Sequence, residues 1–165
     1  MFPASFALAI GIPVIFGSLV AAQIRRFKAS YYNNVIQPRF LPPGWVFAPI
    51  WTYHYVSMGY ASYLVYDAGR IHGVSVISPL TCYAAQLAVN LCCPILLFRQ
   101  NIRASLFAVA INFLLAIITA YKFHQITSAA AKAMVPYLVW LKTMWYANKA
   151  TWRLNKSHLI KERTT

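Results

Sequence analysis

The sequence predicts an all-α integral membrane protein, a bundle of five transmembrane helices that forms a single domain over residues 1–165. Of its residues, 60% are hydrophobic and 10% are charged, whereas about 25% are charged in a typical soluble domain. Five apolar runs also follow one another along the chain, each long enough to cross a bilayer as a helix. A soluble protein with a very apolar core is the alternative, but it would have to bury more apolar surface than a chain of this size can hide.

The five runs are predicted to be helices because a backbone in lipid has no water to bond with, and a helix satisfies its own amides and carbonyls. Prolines inside or at the ends of several runs are compatible with helices, since neighbouring helices compensate for a kink. Neither an internal repeat nor a low-complexity segment divides the chain, so we expect one domain. The predicted spans are residues 2–24, 44–66, 78–98, 104–123 and 134–152, followed by a basic tail over 153–165.

The first run, residues 2–24, is expected to be a retained helix. It lacks the basic region that precedes the apolar core of a secretory signal, and it is not an amphipathic, Arg- and Ser-rich transit peptide. The connection after it, about residues 25–43, is the longest and most polar of the chain. Its YYNN and QPRFLPPG stretches predict an ordered cap on the bundle and not a flexible linker.

The second run follows a Pro-Pro-Gly turn and carries no Lys, Arg, Asp or Glu from Leu41 to Tyr66. Trp45 and Trp51 lie near one end of it, and tyrosines are spread through it. A helix with aromatic and polar side chains but no charged ones suits lipid and a flat, largely apolar ligand. His54, an ionisable residue within the span, is either a neutral packing histidine with a hydrogen bond or a weaker candidate for a ligand to a haem or porphyrin metal.

The third run contains Gln86 and Asn90, which are four residues apart and so share a helix face. Amides in a bilayer must find partners, which leaves two interpretations: an interhelical hydrogen bond that holds the bundle, or the polar floor of a ligand pocket. Cys82, Cys92 and Cys93 lie in the same apolar run and are interpreted as packing residues. Their spacing does not fit zinc, so no metal site is predicted.

The fifth run carries a stripe of Trp140, Met144 and Asn148 at i, i+4 and i+8. Alone, such a stripe is typical of packing; together with Trp51 of the second run, it could enclose a flat ring. Lys142 lies within the same run and either extends its ammonium group to the membrane surface or faces a wet cavity. A weak sterol-binding pattern is also present here, at Leu141, Tyr146 and Lys149.

Charge predicts the orientation of the bundle. The net charge of +13 comes from 15 basic and 2 acidic residues, and the basic residues lie between apolar runs and not in a nucleic-acid-binding motif. We therefore expect no nucleic-acid partner.

With five crossings, three basic residues fall on one side: Arg70, Lys122 and Lys132. Eleven fall on the other side, which the positive-inside rule places in the cytoplasm together with the C-terminus. They are Arg25, Arg26, Lys28, Arg39, Arg99, Arg103, Lys149, Arg153, Lys156, Lys161 and Arg163.

Nothing in the sequence predicts an enzyme. The only acidic residues, Asp67 and Glu162, lie outside the predicted spans. A paired carboxylate, a Ser-His-Asp set and a phosphate-binding glycine loop are all missing from the sequence.

Several motifs, in the right order, resemble one family of membrane proteins. PPGWVFAPIW followed by MGYASYLVY is similar to the second helix of the translocator protein family, also called the tryptophan-rich sensory proteins or the peripheral benzodiazepine receptor. QLAVN resembles the Q-x-x-x-N of its third helix. PYLVW and the Asn148 to Arg153 stretch resemble its fifth helix. The resemblance covers residues 44–155, and the first helix less clearly.

Two positions depart from the family pattern. The aromatic residues expected after Asn90 are Leu91 and Cys93 in this chain, which thins the tryptophan lining of the pocket. The tyrosine of the family's sterol motif is replaced by Lys149, and the only nearby tyrosine is Tyr146.

The resemblance implies a five-helix receptor or translocator that binds cholesterol, porphyrins such as protoporphyrin IX and haem, and benzodiazepine-type ligands, and needs no cofactor. It implies a multi-pass protein of the mitochondrial outer membrane, or of a bacterial envelope. The implied partners are the bilayer, these ligands and other outer-membrane proteins. An alternative is a scavenger that degrades porphyrin with light and oxygen through Trp51 and Trp140; a third is a structural assembly partner. The predicted pocket is formed by Trp51, Ala48, Gln86, Asn90, Trp140, Met144 and Asn148.

Small residues on the third run predict a homodimer. Thr81 and Ala85, and Ala84 and Ala88, repeat at four-residue intervals. Such spacing lets helix backbones approach closely in lipid, where the hydrophobic effect does not drive association.

Overall fold

The computed structural model describes residues 4–161, with side chains to residue 156, and folds them into five helices without a strand. This confirms the predicted five-helix bundle. The helices are α1 (Ala4–Asn34), α2 (Phe47–His72), α3 (Ile77–Phe98), α4 (Ile102–Ile126) and α5 (Ser128–Lys161).

Helices α1 and α5 extend beyond the predicted spans. Helix α1 continues to Asn34, so the connection predicted to begin at residue 25 begins only after it. Helix α5 begins at Ser128 instead of residue 134 and continues to Lys161, so most of the predicted tail is helical. Residues 162–165 lie outside the described part of the chain. Hydropathy locates the part of a helix that lies in lipid, but the helix itself continues into the headgroups and water.

The helices form a closed ring in the order α1, α2, α5, α4, α3, with α3 returning to α1. Helix α2 makes further contacts with α3 and α4, so it lies closest to the middle. Tight connections impose this arrangement: only Thr127 separates α4 from α5, and residues 99–101 separate α3 from α4. Gly73 ends α2 with φ 66°, a left-handed conformation that glycine adopts without strain.

Close contact between α1 and α2 depends on Gly59. A Cβ built at this position would lie 2.5 Å from the carbonyl oxygen of Ala9 and 2.7 Å from Cα of Ile10. Real side chains do not tolerate such distances, so only glycine lets the two backbones approach this far.

Three of the helices are long and apolar enough to cross a membrane by composition alone: α1, α3 and α4, with mean hydropathies of 2.1, 1.7 and 2.1. Helices α2 and α5 are less apolar because α2 carries several tyrosines and α5 carries several lysines. Large apolar side chains cover the outer surface, which suits lipid and not water. Examples are Leu8, Ile15, Leu19, Phe107, Ile111 and Leu114.

The small residues of α3 lie on its outer face. Thr81, Ala84, Ala85 and Ala88 are all exposed, so they are placed where a second copy could contact them. The dimer itself stays a prediction.

Candidate functional site

A cavity of about 520 Å³ lies in the half of the bundle nearest the α1–α2 connection. All five helices and the connection contribute to its lining. Its walls are mainly apolar and aromatic, with a few amide and hydroxyl groups. A volume of this size is typical of a site for a small organic ligand.

Most of the residues predicted to form the pocket do line this cavity. They are Ala48 and Trp51 on α2, Asn90 on α3, and Met144 and Asn148 on α5. Gln86 and Trp140 do not line it, although both lie on the expected faces of their helices. The structure therefore brings together five of the seven predicted residues and places two of them one layer away.

Trp51 forms one aromatic wall of the cavity. Its ring stacks on Tyr55, with centroids 5.8 Å apart and an interplanar angle of 28°. The ring of Trp140 contacts that of Trp51 edge to face, with centroids 6.4 Å apart and an interplanar angle of 85°. Trp140 also packs against Phe47. The prediction that Trp140 lines the cavity is therefore wrong, because Trp51 and Phe47 lie against its ring. Trp140 supports the wall that Trp51 forms.

Gln86 belongs to a buried polar network and not to the cavity. Its Nε2 donates to the hydroxyl of Tyr137 at 2.7 Å and to Oδ1 of Asn112 at 3.4 Å. Asn90 and Asn112 also donate to the Tyr137 hydroxyl, at 2.9 and 3.1 Å. These bonds join α3, α4 and α5, which matches the interpretation of Gln86 as an interhelical hydrogen bond. Sequence reasoning missed Tyr137 and Asn112, although a mid-span phenol or amide always needs such a partner.

Asn90 links the network to the cavity. Its side chain is 1% exposed, and Nδ2 is used by Tyr137, but Oδ1 has no hydrogen-bond partner among the described residues. A buried acceptor without a partner costs about 1–3 kcal/mol. Asn90 therefore combines a buried acceptor that has no partner with a position in the cavity lining.

Asn148 differs from Asn90, since its polar atoms are already bonded. Its Oδ1 accepts from Oγ of Ser105 at 2.8 Å, and its Nδ2 donates to the carbonyl of Met144 at 2.9 Å. Next to it, Met144 and Cys93 pack in one buried cluster of the lining. This side of the cavity is consequently apolar in character, with Cys93 as a buried thiol that sequence reasoning did not place in the site.

His54 lies outside the cavity lining. Its side chain is 4% exposed and is surrounded by the rings of Trp51, Tyr53, Tyr137 and Trp140. This favours the packing interpretation, although Nδ1 has no hydrogen-bond partner among the described residues. No group of three or more His, Cys, Asp or Glu side chains that could hold a metal occurs in the described part of the chain.

The three residues of the sterol pattern point in different directions. Leu141 is buried and lines the cavity, whereas Tyr146 is 51% exposed on the outside. The Lys149 ammonium lies 5.0 Å above the ring of Trp145. These positions do not form one sterol contact. Lys142, which was expected to reach the surface or a wet cavity, is exposed on the outside.

Comparisons with known proteins find similar sequences over most of the chain. The TspO/MBR family matches residues 9–153 of the chain. The Translocator protein of Bos taurus is 32% identical over 146 residues, which are 88% of this chain and 86% of that protein. Translocator protein 2 of Canis lupus familiaris is 34% identical over 137 residues, 82% and 80% of the two chains. The Tryptophan-rich sensory protein of Cereibacter sphaeroides is 31% identical over 152 residues, 92% and 89% of the two chains.

Proposed function

Because this chain belongs to the TspO/MBR family of membrane proteins, we propose that it is a receptor or translocator that binds porphyrins, cholesterol and benzodiazepine-type ligands in the cavity between its helices. Membership of the family supports the general role, a membrane translocator or sensory protein. The ligands are our proposal, as is a mitochondrial outer membrane location. The proposal is for a binding protein that needs no cofactor, with porphyrin or haem as a ligand.

The observation that carries the proposal is a largely apolar cavity of about 520 Å³ with one aromatic wall and one unbonded acceptor. A flat ring can lie against Trp51 and Tyr55, since aromatic faces prefer stacked or edge-to-face partners. Oδ1 of Asn90 then accepts from the hydroxyl of a sterol.

Titration of the purified protein in nanodiscs with protoporphyrin IX and with cholesterol tests the proposal. Trp51→Ala removes the aromatic wall and should weaken porphyrin binding by about 1–3 kcal/mol, or about tenfold to hundredfold. Trp145→Ala is the matched control, because Trp145 does not line the cavity. Equal affinity of both variants and the parent would place the ligand elsewhere.

A second candidate function is the light-dependent degradation of porphyrin. It is favoured by one observation, the edge-to-face contact of Trp51 and Trp140 at the cavity wall. Two adjacent indoles are oxidisable groups next to a photosensitising ring. Illumination of the protein with protoporphyrin IX and oxygen distinguishes the functions: a new absorbing product that requires Trp51 supports degradation, and unchanged spectra support binding alone.

A further inference from the structure

Two basic side chains lie at the mouth of the cavity, whose other lining residues carry no charge. Arg25 and Lys28 are three residues apart on α1, so they share one face of the helix, and both line the cavity. Arg26 is exposed but does not line it. The cavity is therefore next to a specific pair of cations, and not merely at the basic end of the bundle.

Lys28 reaches across to the connection that covers the cavity. A Cβ built at Gly44 would lie 4.0 Å from Cε of Lys28 and 2.6 Å from the hydroxyl oxygen of Tyr32. The ammonium stem and the phenol thus converge on the bare backbone of Gly44. Both groups can donate hydrogen bonds at this point of the mouth.

Neither Arg25 nor Lys28 has a carboxylate partner within the described residues. Asp67 is bonded to Arg70, with Nη2 and Oδ1 3.0 Å apart, near the end of α2 that lies away from the cavity. The remaining acid, Glu162, lies outside the described part of the chain. No described residue neutralises the two cations at the mouth.

We propose that the cavity selects amphiphiles that carry an anionic group, which binds between Arg25 and Lys28 while the apolar body lies against Trp51. This inference rests on the proposed function of the cavity. A carboxylate or a phosphate suits the pair, since hydrogen bonds from charged donors to ionised oxygens are stronger than neutral ones. The anion comes either from the carboxylates of a tetrapyrrole or from the phosphate of an anionic lipid.

The test compares protoporphyrin IX, which carries two carboxylates, with its dimethyl ester, which has the same ring without the charges. The double variant Arg25→Gln/Lys28→Gln should bind the diacid about tenfold more weakly than the parent and the ester equally well. Arg26→Gln/Arg39→Gln is the matched control. It removes the same charge from two exposed side chains outside the lining, and should bind both ligands as the parent does.

The outcomes separate this inference from the function on which it rests. A parent that binds both ligands, with a double variant that loses neither or loses both equally, overturns the anion site and leaves porphyrin binding intact. An equal loss in the control variant also overturns it, because membrane charge alone would then be the cause. A parent that binds neither ligand overturns the proposed porphyrin binding and the anion site together.

The lipid composition of the nanodiscs distinguishes a carboxylate of the tetrapyrrole from a lipid phosphate as the anion at this site. Nanodiscs of phosphatidylcholine are compared with nanodiscs that also contain phosphatidylglycerol. If phosphatidylglycerol weakens diacid binding in the parent but not in Arg25→Gln/Lys28→Gln, a lipid phosphate occupies the site. If it affects both proteins equally, the site belongs to the carboxylate of the tetrapyrrole.

Discussion

At the scale of single residues, the hydroxyl of Tyr137 holds the centre of the bundle together. It accepts from the amides of Gln86 and Asn90 on α3, and it lies within hydrogen-bonding distance of the amide of Asn112 on α4. It also fixes which way Asn90 points, since Nδ2 is used by the phenol and Oδ1 is left unbonded. The polar network therefore determines the chemistry that the cavity offers.

We expect Tyr137→Phe to lower stability by about 1–3 kcal/mol, because buried amide donors lose their acceptor while the ring is kept. Thermal unfolding in mild detergent measures the change. Tyr121→Phe is the control, since Tyr121 is 64% exposed. If the two variants melt at the same temperature, the network does not hold the helices together.

Cys93 reports on occupancy of the cavity. Its thiol is 6% exposed and lines the cavity, whereas Cys92 is exposed on the outside. In a Cys82→Ser/Cys92→Ser background, bound protoporphyrin IX should slow the alkylation of Cys93 by N-ethylmaleimide, as measured by mass spectrometry. In a Cys82→Ser/Cys93→Ser background, porphyrin should leave the alkylation of Cys92 unchanged. Equal rates at Cys93 with and without porphyrin would contradict the assignment of the cavity.

Sequence periodicity placed side chains on the correct face of a helix but not at the correct depth. Gln86 and Asn90 share a face, yet only Asn90 lines the cavity, because Gln86 lies one turn farther from the mouth. Trp140 and Met144 on α5 differ in the same way. A face follows from spacing within one helix, whereas depth depends on how neighbouring helices pack.

At the scale of helices, hydropathy predicted the number and order of the elements correctly. Their ends could not be predicted in this way, since helix α1 continues through the basic residues around Arg25 to Asn34. Backbone hydrogen bonding continues outside the membrane as long as the sequence tolerates a helix. The cations at the cavity mouth belong to this extension, and a loop at this point would not fix their spacing.

Gly59 is expected to control the contact between α1 and α2. Gly59→Ala should destabilise the protein by about 1–3 kcal/mol, because the methyl group would overlap the α1 backbone. Gly11→Ala is the matched control. A Cβ at Gly11 has no neighbour within 4 Å, so this variant gains up to about 1 kcal/mol of helix propensity. Equal melting temperatures would show that α1 can move aside.

At the scale of the whole molecule, charge orients the bundle in the membrane. We expect a C-terminus in the cytoplasm, from the eleven basic residues on that side against three on the other. A protease site placed after Thr165 should be cleaved in intact organelles. A site that is protected until the membrane is permeabilised would reverse the assignment, and the cavity mouth would then face away from the cytoplasm.

The exposed small residues of α3 predict a homodimer. Ala84→Leu/Ala88→Leu should shift the protein toward monomer in mild detergent, because the larger side chains keep the backbones apart. Size-exclusion chromatography with light scattering gives the mass. Thr143→Leu, on the exposed face of α5, should leave it unchanged. An unaltered oligomer in the first variant would exclude this face.

The cavity occupies one half of the bundle only, and this limits how any cargo can travel. The other half is filled by a packed core that includes Met58, Val65, Phe123 and Met134. Within the described residues, this core closes the cavity on the side away from the α1–α2 connection. We expect a ligand that enters at the mouth to leave either through the mouth or laterally, between two helices, into the lipid. We therefore expect ligand exchange to join the water at the mouth to one leaflet of the membrane, so that the release of bound ligand limits its rate.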